Sequence, residues 1–173
     1  MNYLFFDIDG VMTDGVKYYN LDGMPYAKTF FDKDFTALKI ATAAGFKVVA
    51  VSGDEKINKK MISNRNIDFL HARSVSKWDV VTANYKIERN DLIVAVGDDI
   101  FDLELLQNAT IPCCPINSHP EILRYINSSR DGIVTHAKGG GGVLVEIVDA
   151  LITKYELKID YDYMFELDKK EIF

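Results

Sequence analysis

The sequence predicts an α/β fold in which a parallel sheet carries helices on both faces, and three observations lead there. Short apolar runs alternate with helix-type runs along the chain. Runs such as "YLFF", "VVAV" and "LIVAV" are continuously apolar, as strands buried on both sides must be. Three of the runs end in polar residues: Asp7, Ser52-Gly53 and Gly97-Asp98-Asp99.

The elements follow in order. "YLFFD" reads as a buried strand. "GVKYYNLDGMPYAKTF" alternates aromatic residues around an Asn-Leu-Asp-Gly turn and reads as a β-hairpin. "DFTALKIATAAG" is a helix stopped at Gly45, "FKVVAV" a strand, and "DEKINKKMISNR" a helix with a polar face. "IDFL" fits a short strand, and "SKWDVVTANYKI" a helix capped by Ser76 or Ser74. "LIVAV" is a strand, "FDLELLQN" a helix and "TIPCCPI" a further strand. A helix from Pro120, a short strand "GIVT" and a helix over 142–154 complete the pattern.

Composition bounds the function. A chain of 173 residues with 48% hydrophobic residues can bury one sizeable core. Twenty basic residues against 26 acidic ones, net −6, speak against non-specific binding to nucleic acid or to an anionic membrane. No apolar run reaches membrane-spanning length, and the N-terminus lacks the basic region and cleavage site of a signal peptide. Cys113 and Cys114 are adjacent in an apolar run and read as reduced core residues, which points to the cytoplasm.

In a parallel α/β sheet, ligands bind beyond the carboxyl ends of the strands, so the three polar strand ends should share one site. Asp7 and Asp9 are two apart and face the same side in extended chain, while Ile8 points to the core. Gly10 lets the chain turn tightly. Asp98 and Asp99 bring further carboxylates, and so many negative charges need a cation. A ligand set of oxygen alone, with no histidine, suits Mg2+ rather than zinc. Such a site fits phosphate, with Gly53 offering backbone N–H groups and Lys77 a point charge. Taken singly, Asp102 and Ser52 read as caps, Lys77 as a solvated helix residue and the Gly-Asp-Asp triplet as a turn. Their shared placement at strand ends favours a site. His71, His119 and His136 lack ligand spacing and read as structural. The run of glycines at 139–142 reads as a loop, with an anion or interface role as its alternative.

"DIDGVMTDG", Ser52, Lys77 and "GDDIFDLELL" resemble, in order, the four motifs of the haloacid dehalogenase (HAD) superfamily, over residues 4–106. Its phosphatases carry a second Asp at the position of Asp9. "DGVMTDG" with "KGGGGVLVEIVDAL" is similar to the capless sugar-acid phosphatases of that superfamily, over residues 3–151. These act on 3-deoxy-octulosonate 8-phosphate or on nonulosonate (sialic-acid-like) 9-phosphates. The resemblance implies a Rossmann-like domain over 1–154 with a hairpin flap and no cap domain, followed by a tail over 155–173 that reads as a docked or frayed helix. It implies a small sugar phosphate as substrate, Mg2+ as cofactor and a homotetramer in which a neighbour's hairpin completes the site. It implies Asp7 as nucleophile and Asp9 as acid and base. Asp7, Asp98 and the carbonyl of Asp9 would hold the metal. Ser52, Gly53 and Lys77 would bind the phosphoryl group, Asp54 the sugar, and Asp99 would orient Lys77 or a metal-bound water.

The sequence departs from that branch in places. "DFTA" stands where the branch has "DGxG", so that Phe35 and Ala37 replace glycines after Asp34. Asp54 stands where the octulosonate enzymes carry Arg, and an acidic residue there is more usual in the nonulosonate type. Asp54 would repel a neighbouring carboxylate, which favours a nonulosonate 9-phosphate and leaves the sugar acid's carboxylate to Lys56, Lys59, Lys60 or Lys138. Two rivals remain: a catalytically idle sugar-phosphate-binding module, and a phosphatase of another phosphomonoester such as a nucleic-acid end.

Overall fold

The first strand sets the architecture. In the computed structural model, which describes residues 1–172, β1 (Asn2–Phe6) sends Leu4 and Phe6 into one apolar layer and Tyr3 and Phe5 into another. Each such side chain contributes about 1.5–3 kcal/mol when fully buried, so both sides of the strand must be covered. β1 lies between β4 (Phe46–Ser52) and β6 (Leu92–Val96), parallel to both, with Phe6 level with Ala50 and Val96. The sheet extends to β5 (Asp68–His71) on one side and to β7 (Ile111–Cys114) and β8 (Ile133–Val134) on the other. Its order is β5-β4-β1-β6-β7-β8, all parallel.

Over the Leu4 and Phe6 face, α1 (Asp32–Ala43) packs on α6 (Val143–Tyr155) through Leu38, Ala41, Ile147 and Leu151, and α2 (Ile57–Ser63) adds Ile62. The opposite face is covered by α3 (Lys77–Asn84), α4 (Leu103–Gln107) and α5 (Pro120–Ser128), which contribute Val81, Leu105, Leu106 and Ile122. The hairpin is β2 (Tyr18–Tyr19) against β3 (Pro25–Ala27). The tail is a docked helix: α7 (Tyr161–Asp168) lies on α1, and Lys39 pairs with Asp168 at 2.5 Å and Glu171 at 3.1 Å. Between β1 and β4 there is room only for the hairpin and α1, and between β4 and α3 only for α2 and β5; neither gap holds a cap domain. No helix among the described residues is long and apolar enough to cross a membrane.

One boundary is decided between the two residues the sequence offered and two differ from the sequence reading, each for a local reason. Ser76, not Ser74, caps α3 by accepting the Asp79 N–H. That helix ends at Asn84 because Tyr85 turns extended, packs on Tyr3 and Phe5 and donates to Asp68 at 2.6 Å. "FDLELLQN" splits into a 3-10 turn (Ile100–Asp102) and α4, because Asp99 and Asp102 form a reciprocal capping box.

Phe35 and Ala37 are core residues and do not line the cleft at the strand ends. The Arg65 guanidinium lies 3.6 Å from the Phe35 ring centroid, so side chains occupy the volume that glycines would leave open. The glycines at 139–142 form a loop, as expected, and it is packed rather than free. Gly140 donates to the Val11 carbonyl at 2.9 Å, and a Cβ on Gly139 would collide with the backbone of Gly10. They let this loop lie against the turn that follows β1.

Candidate active site

From β1 the chain passes to β4 on one side and later to β6 on the other. The carboxyl end of β1 is therefore the switch point of the sheet, where a crevice opens. Asp7 stands there, its N–H continuing the ladder to the Val96 carbonyl at 2.9 Å. Beyond it the chain turns sharply: the N–H groups of Val11, Met12 and Thr13 all reach the Ile8 carbonyl. Gly10 takes φ +86°, and any side chain there would meet the Asp98 carboxylate. Gly10 is thus what lets the Asp98 carboxylate come up against the β1 loop.

Asp7 is buried beside Lys77, which lies 3.0 Å from its Oδ1 and 2.5 Å from Asp102 Oδ1. The other Asp102 oxygen accepts the N–H groups of Asp98 and Asp99, at 2.9 and 3.1 Å. Asp102 is therefore no mere cap: it is the partner that orients Lys77. Asp99 does not orient Lys77, whose partners are Asp7 and Asp102; its Oδ1 accepts the N–H of the following Ile100. Oxygen atoms of Asp7, Asp98 and Asp102 lie within 4.8 Å of one another, and Asp98 Oδ1 is buried without a hydrogen bond. Burial pushes Asp7 up to about 7, against the pull of Lys77 and with a push from Asp102. Burial, then Asp102, Asp7 and Asp99, push Asp98 up to about 8. Lys77 is held above its ordinary value by Asp7 and Asp102, against burial.

Three carboxylates with one ammonium are short of positive charge, and an orphaned buried oxygen faces the deficit. The donor set is all oxygen and fits Mg2+. Asp7 and Asp98 have the free ligand capacity, whereas both Asp102 oxygens are taken. The Asp9 carboxylate is not part of this cluster, so only its carbonyl remains as the donor expected of it.

Asp9 faces the other way. Lys28 Nζ hydrogen-bonds to its Oδ2 at 3.0 Å and lies 2.8 Å from Oδ1. Asn58 donates to Oδ2 at 3.2 Å, and Lys17 approaches it at 3.4 Å. Lys28 also reaches Asp54 at 2.5 Å and the side-chain carbonyl oxygen of Asn58, Oδ1, at 2.8 Å. Ser52 Oγ accepts from Asn58 at 3.0 Å and from the Asp54 N–H at 3.3 Å, which leaves its own O–H free to donate outward. Burial pushes Asp54 up, but the Lys28 and Lys56 N–H hydrogen bonds and the two lysine charges pull it below the usual carboxylate value.

Asp7, Asp9, Ser52, Gly53, Asp54, Lys77 and Asp98 thus line one cleft of about 1550 Å³. Lys17, Lys28, Asn58 and Asp102 were missed as members of its networks. Of the four lysines considered for a substrate carboxylate, Lys56 lines the cleft and Lys59, Lys60 and Lys138 do not; Lys17 and Arg73 do. His71 lines it as well, with its Nε2 3.3 Å from the Gly53 carbonyl.

No protein-family model matches the chain. It is 26% identical over 159 residues to the 3-deoxy-D-manno-octulosonate 8-phosphate phosphatase KdsC of Haemophilus influenzae, covering 88% of this chain and 83% of that one. It is 23% identical over 155 residues to the Salmonella typhi enzyme of the same name, covering 86% and 78%. The Moraxella catarrhalis phosphatase structure, in complex with magnesium, phosphate and KDO, superposes with a TM-score of 0.73 at 19% identity, covering 87% of this chain and 85% of that one. The strand-end aspartates, the uncapped sheet and these relatives agree: the chain is a phosphomonoester hydrolase with the haloacid dehalogenase fold, similar to the octulosonate 8-phosphate phosphatases of that superfamily.

Proposed function

We propose that the chain is a Mg2+-dependent phosphatase that cleaves a small sugar-acid phosphate through an aspartyl-phosphate on Asp7. The observation that carries this is Asp7 at the switch point, paired with Lys77 and facing the charge-deficient oxygens of Asp98. When bound, Mg2+ keeps Asp7 ionised and offsets the charge of the phosphoryl oxygens. Asp7 attacks phosphorus and the bond to the sugar oxygen breaks. Asp9 gives that oxygen its proton, then takes one from the water that attacks the phosphoenzyme and frees Asp7. Ser52 donates its hydroxyl to a phosphoryl oxygen, the Gly53 N–H adds a backbone donor, and Lys77, steered by Asp102, neutralises charge on the transferring group.

Within the class of sugar acids, the relatives favour octulosonate 8-phosphate. A nonulosonate 9-phosphate is the second reading, favoured by the carboxylate of Asp54 in the cleft. The repulsion argument for it is weaker than the sequence suggested, because Lys28 and Lys17 offset that charge. Lys17, Lys56 and Arg73 are the cations placed to receive a substrate carboxylate. The test is turnover on both sugar phosphates, on simple sugar phosphates and on a 5′-phosphorylated oligonucleotide, each with Mg2+ and with excess chelator. Efficient, chelator-sensitive turnover of a sugar-acid phosphate is expected; preference for the oligonucleotide, or full activity in chelator, overturns the proposal.

The proposal extends to a cytoplasmic homotetramer. Both cysteines are free and buried, which suits a reducing compartment. Tyr18, Tyr19, Leu21, Met24 and Tyr26 are exposed on the hairpin, and a second copy would cover them and wall the open cleft. Light scattering should give four chains; a fully active monomer would refute the assembly.

A further inference from the structure

Lys28 is the least expected residue near the site. It follows β3 at the foot of the hairpin, 19 positions from Asp9 in the chain. Its side chain is 0% exposed. A buried ammonium costs several kcal/mol unless its charge and all its donors are matched. Here they are: its three N–H groups have three partners, Asp9, Asp54 and the side-chain carbonyl of Asn58. Lys28 makes no contact with Asp7, whose cation is Lys77. The two aspartates of the first motif thus have separate lysines, one from α3 and one from the hairpin.

We propose that Lys28 is the positioning residue for Asp9, fixing its carboxylate for proton transfer to the leaving oxygen and tying it to the hairpin. This rests on the reading of Asp9 as acid and base. The geometry gives the reason. A carboxylate three residues beyond a strand end, on a glycine-containing turn, is free to rotate about its side-chain bonds. Lys28 and Asn58 both hydrogen-bond Oδ2, and Lys28 Nζ lies 2.8 Å from Oδ1, which has no hydrogen bond, so the carboxylate plane is fixed with one oxygen left to carry a proton. Asp54 holds Lys28 from the opposite side, at 2.5 Å, and the Lys56 N–H holds Asp54. The chain of contacts runs from the hairpin through Lys28 to Asp9, and through Asn58 to Ser52. A misplaced acid costs rate most where the leaving group cannot depart unprotonated.

A pure fold-stabilising role would lower activity on all substrates alike, so the test compares two leaving groups. Turnover of the sugar phosphate, whose alkoxide needs a proton, is measured beside that of p-nitrophenyl phosphate, whose phenolate leaves without one. The ratio of the two on one sample does not depend on the folded fraction. Lys28→Gln, and Lys28→Arg should the first not fold, are compared with wild type and with Asp9→Asn. Lys28→Gln is expected to lower kcat/KM, which reports leaving-group departure and not the shared hydrolysis of the phosphoenzyme, by about 10²-fold on the sugar phosphate and by less than about tenfold on p-nitrophenyl phosphate. Lys28→Arg keeps the charge in a different shape and should fall between. If Asp9→Asn leaves the ratio at the wild-type value, the reading of Asp9 is wrong. If Asp9→Asn collapses the ratio while the Lys28 variants lower both activities equally, or neither, the positioning role is overturned.

Discussion

Asp7 and Asp9 are two residues apart and live in opposite electrostatic surroundings. Around Asp7, three carboxylates face a single ammonium and one oxygen has no partner. Around Asp9, the carboxylates Asp9 and Asp54 face two ammonium groups, Lys17 and Lys28. The first surroundings lack positive charge by about what one divalent cation brings; the second are already balanced. Under the proposed mechanism one short motif serves two tasks. The deficient side would draw in a metal and a phosphoryl group, whereas the balanced side would hold a carboxylate in place without recruiting an ion. The Ile8 side chain between them is fully buried, which keeps the two carboxylates from exchanging surroundings.

The largest effect should come from removing charge on the deficient side. Asp7→Asn keeps the shape but cannot form the acyl-phosphate, and turnover should fall by at least about 10⁴-fold. Lys77 keeps Asp102 at 2.5 Å, so the fold should survive. The same variant should bind Mg2+ more weakly in calorimetry, because one carboxylate ligand is lost. Asp54→Asn, on the balanced side, should leave Mg2+ affinity within about twofold, since exposed or compensated charges at that remove are well screened. Equal weakening by both variants would erase the distinction between the two sides.

The sequence revealed most of the carboxylates on both sides but not the groups that hold them, Lys17, Lys28 and Asn58 around Asp9 and Asp102 beside Lys77, for physical reasons. Asp7, Ser52, Lys77 and Asp98 stand at strand ends or a helix start, positions that an alternating α/β pattern locates without coordinates. Lys28 carries no such marker. Nothing in "YAKTF" says that this lysine turns inward rather than to solvent, because the hairpin's tilt is a tertiary property. Asn58 lay one turn into a helix read as polar-faced, and its burial follows from its contacts with Ser52 and Asp9. Asp102 was within reach: "DDIFD" carries the i, i+3 acidic spacing of a capping box, and a capped turn beside Asp98 puts the third carboxylate near Lys77. The hairpin and the uncapped parallel sheet followed from pattern, gap lengths and the resemblance, whereas the strand order, and with it the switch point, is set by tertiary pairing. Helix ends such as that of α3 did not follow either, because the tertiary contacts of Tyr85 overrode local propensity.

A third buried carboxylate sharpens the comparison, with a smaller expected effect. Asp34 is 0% exposed and has no cation partner among the described residues. Its Oδ1 accepts the N–H groups of Leu144 and Val145, at 2.9 and 3.1 Å, and so caps α6, while Oδ2 is buried without a hydrogen bond. Burial pushes it up from 3.8 to about 6, against the pull of those two N–H groups. The folded state therefore holds this proton more tightly than the unfolded state. The resulting stability is complete below pH 3.8, is lost as pH rises through about 6, and changes no further above that. Asp34→Asn keeps an oxygen for the two N–H groups and removes the titration. Its absolute stability also depends on where the new amide finds partners, but that contribution does not vary with pH. Asp7 and Asp98 titrate in the same range but are common to both proteins, so they cancel in the difference. Urea unfolding of wild type and variant at pH 4.5 and 7.5 isolates Asp34. Between these two conditions the variant should gain about 1–2 kcal/mol relative to wild type. A difference that stays constant with pH would mean that the Asp34 carboxylate is as well solvated as one on the surface, and that a carboxylate can be buried in this fold without a cation at no cost.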